Sequence, residues 1–241
     1  VAPLIVDWSG ALATHARAEG WPRLILTPFD EPAKFRQYGP RLKRMLDFVR
    51  PQFREQAALL RRGDPTTPIY ASIHDERVGL DFLPDIDIIG TNVADRDAGF
   101  LDRIRRSGKT FLEYAATTDR GLPAEARFVN GFLFAAHGST GGIAWAYDWG
   151  ERFDTLDGAD WIYAWTTPLD LIPPPYLLGL REARDDRPLL VAFRRAAAAR
   201  GVDPEPILAP LFAEIVATDV ATVVRDPARL ERWRARLREE L

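Results

Sequence analysis

Apolar residues recur at helical spacing through VDWSGALATHARAEG, residues 6–20, and Gly20 closes the run where glycine favours the position just past a helix C-terminus. LILTPF, residues 24–29, is apolar without that spacing and predicts a short buried strand. Residues 36–49 are amphipathic despite Pro40, residues 53–60 read as a further helical piece, and PIYASI at 68–73 predicts a second strand. DIDIIGTN at 85–92 is a third, followed by a short helix over 98–106 that Gly108 closes. KTFLEYAA at 109–116 is a fourth, followed by a helix from Pro123 to His137 with its proline in the first turn. GGIAWAYDW at 141–149 is a fifth.

Strands that alternate with helices predict parallel βα units and an α/β fold. Such a series fits an open doubly wound sheet, or the later part of an eight-stranded (β/α) barrel of TIM type. Beyond Trp149 the pattern changes to an aromatic loop, WIYAWTTPLDLIPPPY, and then to helices over 178–200, 204–217 and 227–240. The last begins at Asp226-Pro227, an N-cap residue followed by proline at the first helical position. No internal repeat or low-complexity linker interrupts the chain.

The strands finish on polar or aromatic residues: Asp30 and Glu31, then His74 and Asp75, Asn92, Glu113 and Tyr114, and finally Tyr147, Asp148 and Trp149. In parallel βα folds these C-terminal ends open on one face, where active sites form. Taken singly, each also fits an ordinary polar strand exit. Asp30 and Glu31 stand side by side before Pro32, which disfavours helical geometry at Glu31 and holds it extended. Adjacent strand residues point to opposite sides, so both carboxylates reach one site only if the backbone bends there.

Trp145, Tyr147, Trp149, Trp161, Tyr163 and Trp165 crowd the stretch after the fifth strand. Flat rings with a polar edge suit sugar faces, which are apolar patches ringed by hydroxyls. Core packing accounts for Trp145 and one or two of the others. A carbohydrate site needs carboxylates beside such rings, and the chain carries both.

The formal net charge of −3 gives no electrostatic reason to expect nucleic acid or an anionic membrane as partner. Arginine-rich pieces such as RLKR, RIRR and WRARLREEL read as solvated helix faces. No apolar run approaches the roughly 18 residues of a membrane span, and no signal peptide pattern opens the chain, so a soluble protein is expected. The absence of cysteine excludes disulfides and thiolate metal sites, while leaving bacterial cytoplasm and secretion equally open. His15, His74 and His137 are scattered and HDER at 74–77 lacks a second ligand at helical spacing, so no metal or cofactor is expected. No G-x-S-x-G elbow is present, and GSTGG lacks the strand-to-helix setting of a phosphate loop.

Five motifs in order, EGWPRLILTPFDEP (19–32), KTFLEY (109–114), ARFVNGFLFAAHGSTGGIAWAYDW (126–149), GADWIYAWTTP (158–168) and GLREARDDRPLL (179–190), resemble the C-terminal barrel of glycoside hydrolase family 123. They are equally similar to the related domain of unknown function 4091. The resemblance implies a (β/α)8 barrel in which LILTPF is the fourth strand and the five strands here are the fourth to the eighth. The first three strands, and the family's N-terminal β-sandwich, would then lie outside this chain or be supplied by another chain or domain. On that reading residues 1–200 form the barrel domain and 201–241 a C-terminal helical appendage. The start on Val1 rather than Met fits a piece of a longer protein.

The resemblance further implies a retaining, substrate-assisted β-N-acetylhexosaminidase acting on a carbohydrate without cofactor. Glu31 would be the general acid and then base, and Asp30 would accept the acetamido N–H. Trp145, Tyr147, Trp149 and Tyr163 match family positions around the substrate, with His74, Asn92, Tyr114 and Asp148 beside them at the strand ends, and Arg127 matches a family arginine that would reach a sugar or fix a carboxylate, or else lie on the surface in a first helical turn. Arg181 and Glu182 are assigned to structure. Glu113 stands where the family carries aromatics, which opens a second mechanism, double displacement with Glu113 as nucleophile and the carboxyls roughly 5–5.5 Å apart. Two non-catalytic alternatives remain: a carbohydrate-binding barrel that has lost catalysis, and a half-barrel completed by a partner.

Overall fold

The computed structural model describes residues 1–29, 42–73, 80–92, 98–114, 122–143, 165–166, 171–172 and 175–239. It is a mixed α/β structure with a parallel four-stranded sheet and many helices. The strands are β1 (Tyr70–Ser72), β2 (Ile88–Asn92), β3 (Thr110–Tyr114) and β4 (Gly141–Gly142), and they lie side by side in chain order. Tyr70 is level with Ile88 and Ser72 with Gly90. Leu26 adds an isolated parallel bridge to Ile69, so the strand predicted over 24–29 begins alongside β1. The chain divides into two compact units, Val1–Leu112 and Glu113–Leu241, with the boundary inside β3.

In the first unit α1 (Ala2–Ala18) ends on Gly20 in the left-handed conformation, as its position after the last turn predicts. Helix α2 (Leu42–Gly63) runs unbroken through Pro51, where the sequence pattern predicts two pieces. Leu46, Phe53, Ala57 and Leu60, with Val49 packed against them, carry one apolar face across the proline, and its burial outweighs the missing hydrogen bond. That face meets Ile69, Ala71, Ile73 and Ile89 of the sheet and Phe100, Leu101 and Ile104 of α3 (Ala98–Arg106), which Gly108 closes. A short 3-10 turn at Leu80–Asp85, unforeseen in the sequence, adds Phe82 to this core.

The second unit is built on α4 (Pro123–Arg127), a π-helical stretch at Phe128–Leu133, α5 (Phe134–Ala136) and the long α6 (Pro175–Ala199). The helix predicted from Pro123 to His137 is thus present, with one widened turn inside it. Asn130 Nδ2 donates to the Ala126 carbonyl at 3.0 Å, the acceptor that its own N–H would use in an α-helix. Helices α7 (Glu205–Ala217), α8 (Val220–Arg225) and α9 (Ala228–Glu239) pack in the same unit and bury Leu208, Leu211, Ile215, Val223 and Leu237. Helix α8 is absent from the sequence reading, and Asp219 caps it by accepting the Thr222 N–H at 2.6 Å. Trp233 of α9 sits edge-on to Phe132 and donates its Nε1–H to Glu214. Where the sequence suggests only an aromatic loop, β5 (Trp165–Thr166) pairs antiparallel with β6 (Leu171–Ile172). No helix among the described residues is long and apolar enough to cross a membrane.

Two glycines mark the closest helix contacts. A methyl group on Gly63 would lie 1.9 Å from Ser9 Oγ, where α1 crosses α2, and one on Gly179 would lie 2.0 Å from the Pro123 carbonyl oxygen. Gly63→Ala and Gly179→Ala should therefore each lower stability by about 1–3 kcal/mol in chemical denaturation. Unchanged midpoints would contradict these contacts. Asp64, just past α2, accepts hydrogen bonds from the Thr67 and Thr66 hydroxyls and the Thr66 N–H and pairs with Arg17, and these hold its carboxyl down at about 2. With a folded pKa below the ordinary 3.8, this contribution is complete above that value and is lost as pH falls towards 2. Asp64→Asn should flatten the acid limb of the stability profile in that window, measured by thermal melts from pH 2 to pH 5.

Candidate functional site

The strand that leads to Asp30 and Glu31 is anchored by its neighbours. Leu26 N–H donates to the Pro68 carbonyl at 3.1 Å, and Tyr70 N–H donates to the Leu26 carbonyl at 2.8 Å. Thr27 Oγ1 then donates to the Phe29 carbonyl at 2.8 Å, and the Phe29 ring packs on Phe53 with centroids 6.1 Å apart. Asp30 and Glu31 follow directly in the chain. They lie outside the described residues, as do His74, Trp145, Tyr147, Asp148, Trp149 and Tyr163.

Asn92, Glu113, Tyr114 and Arg127 are described. The pleat of the sheet decides which way the first three face, because alternate residues of a strand point to opposite sides. Ile69, Ala71, Ile73, Ile89 and Phe111 all enter the core shared with α2 and α3, so that parity is the helix-facing one. Asn92, half-buried at the end of β2, has the opposite parity to Ile89. Tyr114 is buried and has the opposite parity to Phe111, whereas Glu113 shares Phe111's side.

Glu113, the alternative nucleophile, is placed inside the second unit. Its side chain is 0% exposed, and Oε1 lies 3.2 Å from His137 Nδ1 in the turn that follows α5. His137 and Ser139 are buried with it. Ser139 Oγ donates to the Gly141 carbonyl at 2.6 Å, and its own carbonyl accepts from Arg187 Nη2 of α6 at 2.7 Å. Burial lowers the Arg187 pKa and the charge of Glu113 partly restores it. Glu113, His137 and Arg187 therefore form an enclosed polar cluster that ties β3 to the turn and to α6. The parity of Glu113 was readable, since Phe111 two residues earlier is plainly a core residue, but its partners at 137 and 187 were not.

Of the roles open to Arg127, the structure shows the fixing of a carboxylate: it is held in a fork by Asp186 of α6, with Nε to Oδ2 at 2.6 Å and Nη2 to Oδ1 at 3.0 Å. Its Nη1 donates to Glu231 of α9. Burial works against its charge, but the bonds to Asp186 and Glu231 outweigh that and raise its pKa. Burial raises the Asp186 carboxyl against the pull of Arg127, while the bond to Arg127 lowers that of Glu231. Arg234 completes the cluster, 3.6 Å from Asp186 and 3.8 Å from Glu182. Among the described residues no group of three His, Cys, Asp or Glu side chains is arranged to hold a metal ion.

Removing one member of a buried ion pair strands the other charge, so Arg127→Met should cost about 3–5 kcal/mol in urea denaturation. The double variant Arg127→Met/Asp186→Leu should recover most of that loss. A double variant as unstable as the single one would contradict the stranded charge as the cause.

Compared with protein-family models and with curated proteins, the chain matches none. The likeness to glycoside hydrolase family 123 therefore rests on the five short motifs and their order.

Proposed function

We propose that this chain is the catalytic barrel segment of a glycoside hydrolase acting on β-linked N-acetylhexosamines, with Glu31 and Asp30 as its working carboxylates. The observation that supports this reading best is the parallel bridge from Leu26 to Ile69. It extends the chain-ordered sheet β1-β2-β3-β4 backwards by the strand that runs into DEP. A doubly wound sheet reverses its strand order at a switch point, whereas a (β/α) barrel adds each strand beside the last. Chain order through this many neighbours favours the barrel, whose active site lies at the C-terminal ends of its strands.

In this mechanism Glu31, protonated at rest, gives its proton to the glycosidic oxygen as the bond from that oxygen to the anomeric carbon breaks. The carbonyl oxygen of the substrate's own 2-acetamido group attacks the anomeric carbon from the other side, closing an oxazolinium ring. Asp30, ionised, accepts the acetamido N–H and balances the positive charge that develops on the ring. Water then opens the ring as Glu31 takes back a proton, which retains the anomeric configuration. Two adjacent carboxyls suit these roles because the charge on one raises the pKa of the other. Glu113 has no part in this proposal, and its contact with His137 and its burial weigh against the double-displacement alternative.

A second reading, completion by a neighbouring chain or domain, is favoured by a separate observation. Ile25 is 49% exposed on the strand that bridges to β1, and Leu4 and Trp8 of α1 are exposed as well. Large apolar side chains in that position suit cover by further strands of a barrel.

Glu31→Gln should lower kcat on an alkyl β-N-acetylhexosaminide about 10²–10⁴-fold with KM little changed, and Asp30→Asn should lower kcat as well. Unaltered kinetics in Glu31→Gln would sink the acid assignment. Light scattering should return a mass above that of one chain if a second copy completes the barrel. An active, stable monomer would exclude that form of completion.

A further inference from the structure

A cleft of about 520 Å³ opens in the first unit between the tail of α1, residues 21–24 and the turn Asp64–Thr67. Its walls lie before the strands begin: Leu24 precedes the bridge at Leu26, and Thr67 precedes β1. It therefore sits at the end of the sheet where strands start, and it has no part in the chemistry proposed for Asp30 and Glu31.

Trp21 lines the cleft and is 49% exposed, a large ring held upright by an edge contact to His15 with centroids 5.2 Å apart. Arg17 and Arg23 stand beside it. Arg17 gives Nη1 to Asp64 Oδ2 at 3.1 Å, yet its side chain remains 60% exposed. Arg23, also exposed, gives Nη2 to the Thr66 carbonyl at 3.3 Å. A guanidinium carries five N–H donors, so each of these exposed arginines lining the cleft has more donors than its one bond uses. Asp64 has both oxygens committed, Oδ1 to Thr66 and Oδ2 to Thr67 and Arg17. The single carboxylate is thus spent on aiming Arg17, and the cleft keeps an excess of positive charge next to an open aromatic face.

We propose that this cleft binds an acidic sugar, with the apolar face of the ring stacked on Trp21 and the carboxylate or sulfate taken by the forks of Arg17 and Arg23. Guanidinium forks match the geometry of such anions, and an indole face matches a sugar ring. A neutral sugar leaves the two cations uncompensated, a cationic ligand is repelled, and a purely apolar one leaves the guanidinium donors without acceptors.

Isothermal titration of the full chain with methyl β-D-glucuronide, methyl β-D-glucoside and inorganic sulfate tests the proposal. The glucuronide should bind saturably and at least 10-fold more tightly than the neutral glucoside or sulfate alone. Trp21→Ala and Arg23→Gln, both at exposed positions, should each weaken glucuronide binding 5-fold or more, while Glu31→Gln leaves it unchanged. If Trp21→Ala lowers the melting temperature, Trp21→Phe replaces it, with partial retention of binding expected. No saturable binding, equal binding of glucuronide and glucoside, equal binding of glucuronide and sulfate, or full binding in both Trp21→Ala and Arg23→Gln would overturn it. Loss of binding in Glu31→Gln would move the sugar to the other end of the sheet and also overturn it, whatever becomes of the hydrolase reading.

Discussion

Parallel pairing in chain order is the constraint on which the remaining structure depends. Strands that run the same way cannot be joined by tight turns, so each must be followed by a segment that crosses back over the sheet. Helix α3 supplies such a return between β2 and β3, and the helical run from Pro123 to Ala136 supplies one between β3 and β4. In the first unit α2 and α3 cover one side of the strands, which is why Ile69, Ala71, Ile73, Ile89 and Phe111 are core residues. The same constraint brings the C-terminal ends of the four paired strands to one edge of the sheet.

Charge is used differently in the two units. In the first, Asp64 sits at the end of a helix with hydroxyl and backbone donors, an arrangement that stabilises the anion and aims Arg17 at solvent. In the second, Arg127, Asp186 and Glu231 join α4, α6 and α9 through one fork, and Glu113, His137 and Arg187 join β3 to the turn and helix behind it. Buried pairs of this kind add little net stability over apolar packing, but each fixes the mutual register of the elements it joins. The second unit thus spends its most conspicuous polar residues on holding its helices in place.

The local parts of the fold were legible in the sequence. Amphipathic spacing found α1, α3 and the terminal helices, and Gly20 and Gly108 adopt the positive φ expected of glycine past a helix end. The α/β alternation found every strand of the parallel sheet. The two predicted helical pieces on either side of Pro51 join in one helix through it, because the apolar face continues past the proline. The partners of Arg127 and Glu113 were not legible, for a different reason. They lie far along the chain, 59 residues away for Asp186, 104 for Glu231 and 24 for His137, and no local pattern announces contacts of that range. A polar residue that looks free in sequence is often one whose partner has not yet been met.

The pair proposed at Asp30 and Glu31 stands on different ground, because the chemistry proposed for it requires the substrate to carry its own nucleophile. Initial rates on 4-nitrophenyl N-acetyl-β-D-galactosaminide and on 4-nitrophenyl β-D-galactoside, at equal concentration and pH, test this most directly. Turnover confined to the acetamido substrate is the predicted result. Equal turnover of both would contradict substrate assistance and, with it, the roles given to Asp30 and Glu31.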